Sequence, residues 1–161
     1  MSPYTVIRDT REKEGKGWSF NASKYCAGSE TSMLETGDYS LWGWEAFITI
    51  ERKGSVSELA KNLVEPRFER ELERMRSYPW RYILLEFPME AIVDFPVGSD
   101  IPKRKQRYMK LRGPFLLKTI IELERKYDVP FVFCGTKGKE VCSSIFKRFM
   151  ESKAVEDSNT V

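Results

Sequence analysis

The run Tyr82-Ile83-Leu84-Leu85-Glu86-Phe87 is almost continuously apolar and does not alternate. Successive side chains of a strand point to opposite faces, so such a run reads as a strand buried on both. Covering elements are then needed above and below it. Tyr4 to Arg8, with Thr5, Val6 and Ile7, is a second strand, and Val129 to Cys134 a third. Residues 38–51 read as two short strands around a turn at Gly43. Ser55-Val56-Ser57-Glu58 has the serine and glutamate of a capping box, and Val56, Leu59, Ala60, Leu63 and Val64 follow at helical spacing. Pro66 opens a second helical segment with Phe68, Leu72 and Met75 on one face and charges on the other. Pro114 opens a third, with Phe115, Leu116, Ile120 and Leu123 directed inward, and Val141, Ile145, Phe146 and Phe149 mark a terminal helix.

Lys13 to Gly17 and residues 94–113 read as loops. Residues 18–36 carry no clear period; Trp18 and Phe20 are expected to pack, with a short helix near Ser19–Cys26. Trp42, Trp44 and Trp80 are expected in the core or at an interface. Strands alternating with helices predict one α/β domain of three layers, a central mixed sheet flanked by helices. The expected domain covers residues 1–151, with 152–161 as a flexible polar tail.

Composition narrows the chemistry. The 161 residues contain no histidine, which excludes Ser-His-Asp and Cys-His catalysis and histidine-metal sites. Hydrolysis would fall to carboxylates, lysine, arginine, tyrosine and a hard cation, Mg²⁺ or Mn²⁺. Three cysteines, Cys26, Cys134 and Cys142, are an odd number without metal-type spacing and are expected as reduced thiols, the last two as small buried hydrophobes. No run is long enough to span a bilayer and no charged-then-apolar leader opens the chain, so the expectation is an intracellular protein. A net charge of +3 permits nucleic-acid binding without requiring it. Lys103, Arg104, Lys105, Arg107, Lys110 and Arg112 cluster without an intervening acid and form a candidate DNA-binding loop.

The 38–51 hairpin carries the sharpest signal. Centred near Trp44, it places Asp38 opposite Glu51, and directly opposed side chains share a face about 4.5–5.5 Å apart. Two carboxylates at that spacing repel unless something positive lies between them, and a divalent metal is the natural candidate. Lys53, two residues past Glu51, points to the same face. Acid, acid and lysine together form a metal-dependent phosphodiesterase constellation.

Val6-Ile7-Arg8-Asp9-Thr10-Arg11-Glu12, then Gly37-Asp38-Tyr39, then Ile50-Glu51-Arg52-Lys53 resemble, in order, the motifs of the XPF-type structure-specific endonucleases, a branch of the PD-(D/E)xK superfamily. The likeness covers most of residues 4–150. It implies a restriction-endonuclease-like fold and a metal-dependent DNA endonuclease acting on branched, flap or junction DNA, in repair and recombination. It implies products with a 5′-phosphate and a 3′-hydroxyl, and a homodimer or heterodimer as the assembly. Asp38 and Glu51 would hold the metal with Asp9 as a further ligand, and Lys53 would orient water or offset charge. Arg11 and Glu12 would position phosphate and ligands. The resemblance also gives Arg52 a catalytic role, whereas its place on the other strand face argues for a supporting one, and Glu86 either pairs with it or backs the site. The family's aspartate four residues after the motif lysine is replaced by Ser57, with Glu58 next; Glu58 either takes its place or caps the helix. Two alternatives stay open: a non-catalytic DNA-binding or scaffold subunit of degenerate nuclease fold, and a sequence-specific restriction-type nuclease.

Overall fold

The computed structural model describes residues 1–13 and 15–160; Glu14, in the predicted 13–17 loop, and Val161, in the predicted tail, lie outside the described residues. Six strands form one sheet: β1 (Tyr4–Asp9), β2 (Cys26–Ser32), β3 (Tyr39–Leu41), β4 (Ile48–Lys53), β5 (Trp80–Leu85) and β6 (Phe131–Phe133). The helices are α1 (Val56–Leu63), α2 (Pro66–Met75), α3 (Met89–Val93), α4 (Lys103–Gln106), α5 (Gly113–Tyr127) and α6 (Gly138–Asn159). The strand order is β2-β1-β3-β4-β5-β6. β3 runs antiparallel to both β1 and β4, whereas β2 on β1, and β5 on β4 and β6, pair in parallel, so the sheet is mixed.

The predicted two-sided strand is β5. Ile83 and Leu85 join a core with Leu59, Phe68, Leu72, Leu116 and Ile120 from α1, α2 and α5. Leu84, between them, joins the opposite core with Ile48, Ile50, Phe146 and Phe149, under α6. Helices therefore cover both faces and the molecule has three layers, as the apolar run requires.

Four segments differ from expectation. Residues 18–25 form no helix, and Cys26–Ser32 is a strand that sequence reading missed. Its residues, mostly exposed and lacking alternation, are held in register by β1, from Tyr4↔Cys26 to Asp9↔Ser32. The 94–113 loop contains the single turn α4. Phe115, expected in the core, is 47% exposed, because Leu116 and Ile120 take the inward stripe of α5. The segment 152–159 continues α6, and Lys153 Nζ there stands 5.7, 5.6 and 5.4 Å from the ring centroids of Trp44, Phe47 and Phe149. Trp44 and Trp80 pack edge-on against Phe149, while Trp42, at the hairpin tip, is 60% exposed.

Candidate active site

Gly37 starts the site. Its φ of +85° is a region L side chains avoid, and a Cβ there would strike Thr49 Oγ1. This close approach brings Asp38 alongside β4, where Asp38 N–H donates to the Ile50 carbonyl at 2.8 Å. Tyr39 pairs with Ile50, so the antiparallel register puts Asp38 opposite Glu51. Ile50 faces α6, and the strand alternation turns Glu51 and Lys53 to the other face, toward α1 and α2. The predicted trio meets there. Lys53 Nζ lies 3.3 Å from Glu51 Oε1, and Glu51 and Lys53 are only 8% and 5% exposed. They form the floor of a cleft of about 450 Å³ that Asp38, Asp9 and Arg11 also line.

Burial dominates the electrostatics. It lifts the Asp38 carboxyl to about 7, despite the hydrogen bond that Arg52 N–H donates to Asp38 Oδ2 at 2.8 Å; Glu12 lifts it further and Lys53 pulls it down. Glu51 is raised well above the ordinary carboxylate range by burial, then by Asp38 and Glu71. Burial pulls the Lys53 ammonium down, but Glu51, Glu71, Glu58 and Asp38 more than offset this, leaving its pKa raised. Two strained acids beside a firmly charged lysine leave the floor short of positive charge.

The neighbouring candidates are engaged differently. Asp9 lines the cleft, but Arg11 Nε and N–H donate to its Oδ2 at 2.7 and 3.1 Å and Leu34 N–H to its Oδ1 at 2.8 Å. Burial pushes its carboxyl up, and these donors more than offset that, holding it below the usual value. Among the described residues no three His, Cys, Asp or Glu side chains gather to hold a metal ion, and Asp9 is engaged by Arg11 and Leu34. The pair Asp38 and Glu51 still suits Mg²⁺ or Mn²⁺: small hard cations are commonly held by one or two carboxylates and complete their shell with water and phosphate.

Arg52 points away from the cleft, as its strand position predicts. Its guanidinium donates to Glu86 Oε1 at 2.7 Å and Glu12 Oε1 at 3.1 Å, tying the β1 end to β4 and β5. Glu12 thus braces the site from outside the cleft. Glu58 caps α1 in a variant of the capping box: its N–H donates to the N-cap Ser55 Oγ at 3.2 Å, and its Oε2 accepts from the N–H of Gly54, one residue before the N-cap, at 3.0 Å. It lies off the cleft wall. Lys103, Arg104, Lys105, Arg107, Lys110 and Arg112 are all exposed and none lines the cleft.

The opposite wall holds Phe68 and residues that were not singled out from the sequence: Asn62 of α1, and Arg67, Arg70, Glu71 and Arg74 of α2. The signal was present. Positions 67, 70, 71 and 74 repeat at helical spacing, a polar stripe as ordered as the apolar one beside it.

The sequence matches the ERCC4 domain over residues 8–147. The chain belongs to the ERCC4 domain family. Its fold resembles XPF from Aeropyrum pernix, at 21% identity and a TM-score of 0.59, over 96% of this chain and 68% of that one. It likewise resembles XPF from Aeropyrum pernix in complex with DNA, at 22% identity and a TM-score of 0.60, over 92% of this chain and 66% of that one. This ERCC4 domain thus spans about two thirds of those chains. No curated protein matches it. The resemblance drawn from the three motifs holds: this is an XPF-type nuclease domain by family and fold. No helix among its described residues is long and apolar enough to cross a membrane.

Proposed function

We propose that this ERCC4 domain is a metal-dependent DNA endonuclease that acts on branched, flap or junction DNA, of the kind arising in repair and recombination. The meeting of Asp38, Glu51 and Lys53 at the floor of one cleft carries the reading. The DNA-bound XPF from Aeropyrum pernix supports DNA as the partner. Asp38 and Glu51 would hold Mg²⁺ or Mn²⁺, which when bound withdraws charge from a phosphate and acidifies water. Lys53 stays an ammonium, so it serves as a fixed positive charge beside phosphate oxygens whose negative charge grows in the transition state. Asp9 fixes Arg11, whose guanidinium remains near the cleft mouth to meet a phosphate. Water attacks phosphorus in line, the bond to the 3′ oxygen breaks, and a 5′-phosphate and a 3′-hydroxyl remain. Arg70 and Arg74 on the wall face the flanking backbone.

A labelled flap and a matched linear duplex, incubated with Mg²⁺, Mn²⁺ or chelator, test this. The parent chain should cut the flap only with metal. Asp38→Asn, Glu51→Gln and Lys53→Ala should each slow cleavage by about 100-fold or more, with fold and DNA affinity kept. Retained activity in Glu51→Gln removes the metal assignment. Failure of the parent with every metal leaves a DNA-binding scaffold, and cutting the linear duplex at one sequence indicates a restriction-type enzyme.

A further inference from the structure

Asn62 sits on the inward face of α1 among buried Leu59, Ala60 and Leu63, where an apolar residue is the ordinary choice. It is 9% exposed, and its Oδ1 is fully buried without a hydrogen-bond partner. Buried polar atoms are nearly always paired, and Asn62 is one of the residues that line the cleft, so its orphaned Oδ1 calls for a donor that the described residues do not supply. On the same wall Glu71, on α2, lines the cleft and is one of the neighbours that push the Glu51 carboxyl up. Glu71 does not complete an inner ligand set, since no three acids gather around one point among the described residues. Glu58, the acid nearest in sequence to the motif, is spent on the Gly54 N–H.

Asn62 and Glu71 share one property: both carry acceptor oxygens and both line the cleft in which Asp38 and Glu51 converge. Water bound to a hard cation has a lone pair committed to the ion and offers its hydrogens outward. Mg²⁺ keeps several such waters, and each needs acceptors. We propose that Asn62 and Glu71 are positioning residues that accept hydrogen bonds from the water shell of a divalent cation held by Asp38 and Glu51. This rests on the metal-dependent reading above. It gives the acid on α2 a role beside the metal and leaves the start of α1 to capping.

Mn²⁺ binding to the whole chain without DNA, followed by calorimetry or by loss of the free-ion EPR signal, provides the test, paired with urea unfolding in chelator. Asn62→Leu should weaken Mn²⁺ binding about 10-fold, the usual scale for groups that support a metal's ligands. In chelator the same variant should be as stable as the parent or more so, because it removes an orphaned acceptor. Glu71→Gln should weaken binding several-fold, and Asn62→Asp should tighten it. A purely structural Asn62 would give the reverse for Asn62→Leu: lost stability with an unchanged Kd, which overturns the proposal. Weaker binding in Asn62→Asp overturns it too, since an amide presenting its N–H would lose by that change. Unchanged Kd in both Asn62→Leu and Glu71→Gln refutes these two roles and leaves the Asp38–Glu51 site standing. A parent chain that takes no Mn²⁺ at millimolar concentration removes that site and this proposal with it.

Discussion

At the scale of single residues, the site stores opposition between charge and burial. Asp38 keeps its proton up to about 7 in the folded chain, whereas an unfolded aspartate loses it near pH 4. Between those values the folded state binds more protons, so stability without metal should fall as pH rises from about 4 to 7 and level off above. Glu51 acts in the same direction. Urea unfolding in chelator across that range checks this, and Asp38→Asn should flatten the slope. A slope that rises instead would mean the carboxyl is stabilised as an anion. Bound metal needs the ionised pair, so Mn²⁺ affinity should strengthen over the same interval. Asp38, Glu51 and Lys53 were legible in the sequence because a hairpin's two-residue period fixes which side chains share a face. The engagement of Asp9 by Arg11 and Leu34 was not: Leu34 lies far along the chain, and only the folded structure brings its N–H to that carboxylate.

Among the elements, α1 and α2 divide the work. The capping box of α1 should be structural alone. Ser55→Ala and Glu58→Ala should each cost about 1 kcal/mol in urea unfolding and leave the cleavage rate at saturating substrate unchanged. A collapse of that rate in Glu58→Ala would return Glu58 to the role of the missing aspartate. α2 adds Arg67, Arg70 and Arg74 to the cleft's cations, whereas the sequence pointed to residues 103–112. The two surfaces separate by salt dependence of DNA binding with Ca²⁺ present. Replacing Arg70 and Arg74 by glutamate should weaken binding and lower the log–log salt slope by about 2. Neutralising Lys103, Arg104 and Lys105 should change the slope less; the reverse ranking would move the DNA path to that loop. A run of cations is conspicuous in sequence, while a stripe spaced three and four apart reads there as an exposed helix face until the fold shows the cleft beside it.

For the whole molecule, the three layers follow from β5, whose neighbours in sequence must cover both its faces. α6 closes one of them, and Lys153, near its end, lies against the aromatic rings there, while residues 154–159 are exposed. Deleting residues 152–161 removes Lys153 from the Trp44, Phe47 and Phe149 rings and should lower stability by about 1 kcal/mol, measured by thermal unfolding. No change would make 152–161 the free tail the sequence suggested. The amino-acid sequence by itself determined what local periodicity encodes: the two-sided strand, the hairpin register that faces two acids, the helix cap and the apolar stripe of α2. Tertiary structure alone decided what depends on distant neighbours. β2 exists because β1 offers an open edge to a segment with no pattern of its own, and the cleft wall exists because α1 and α2 fold back over β4. Backbone pairing and the burial of a lone amide are properties of what lies across a gap, and no spacing along the chain records that.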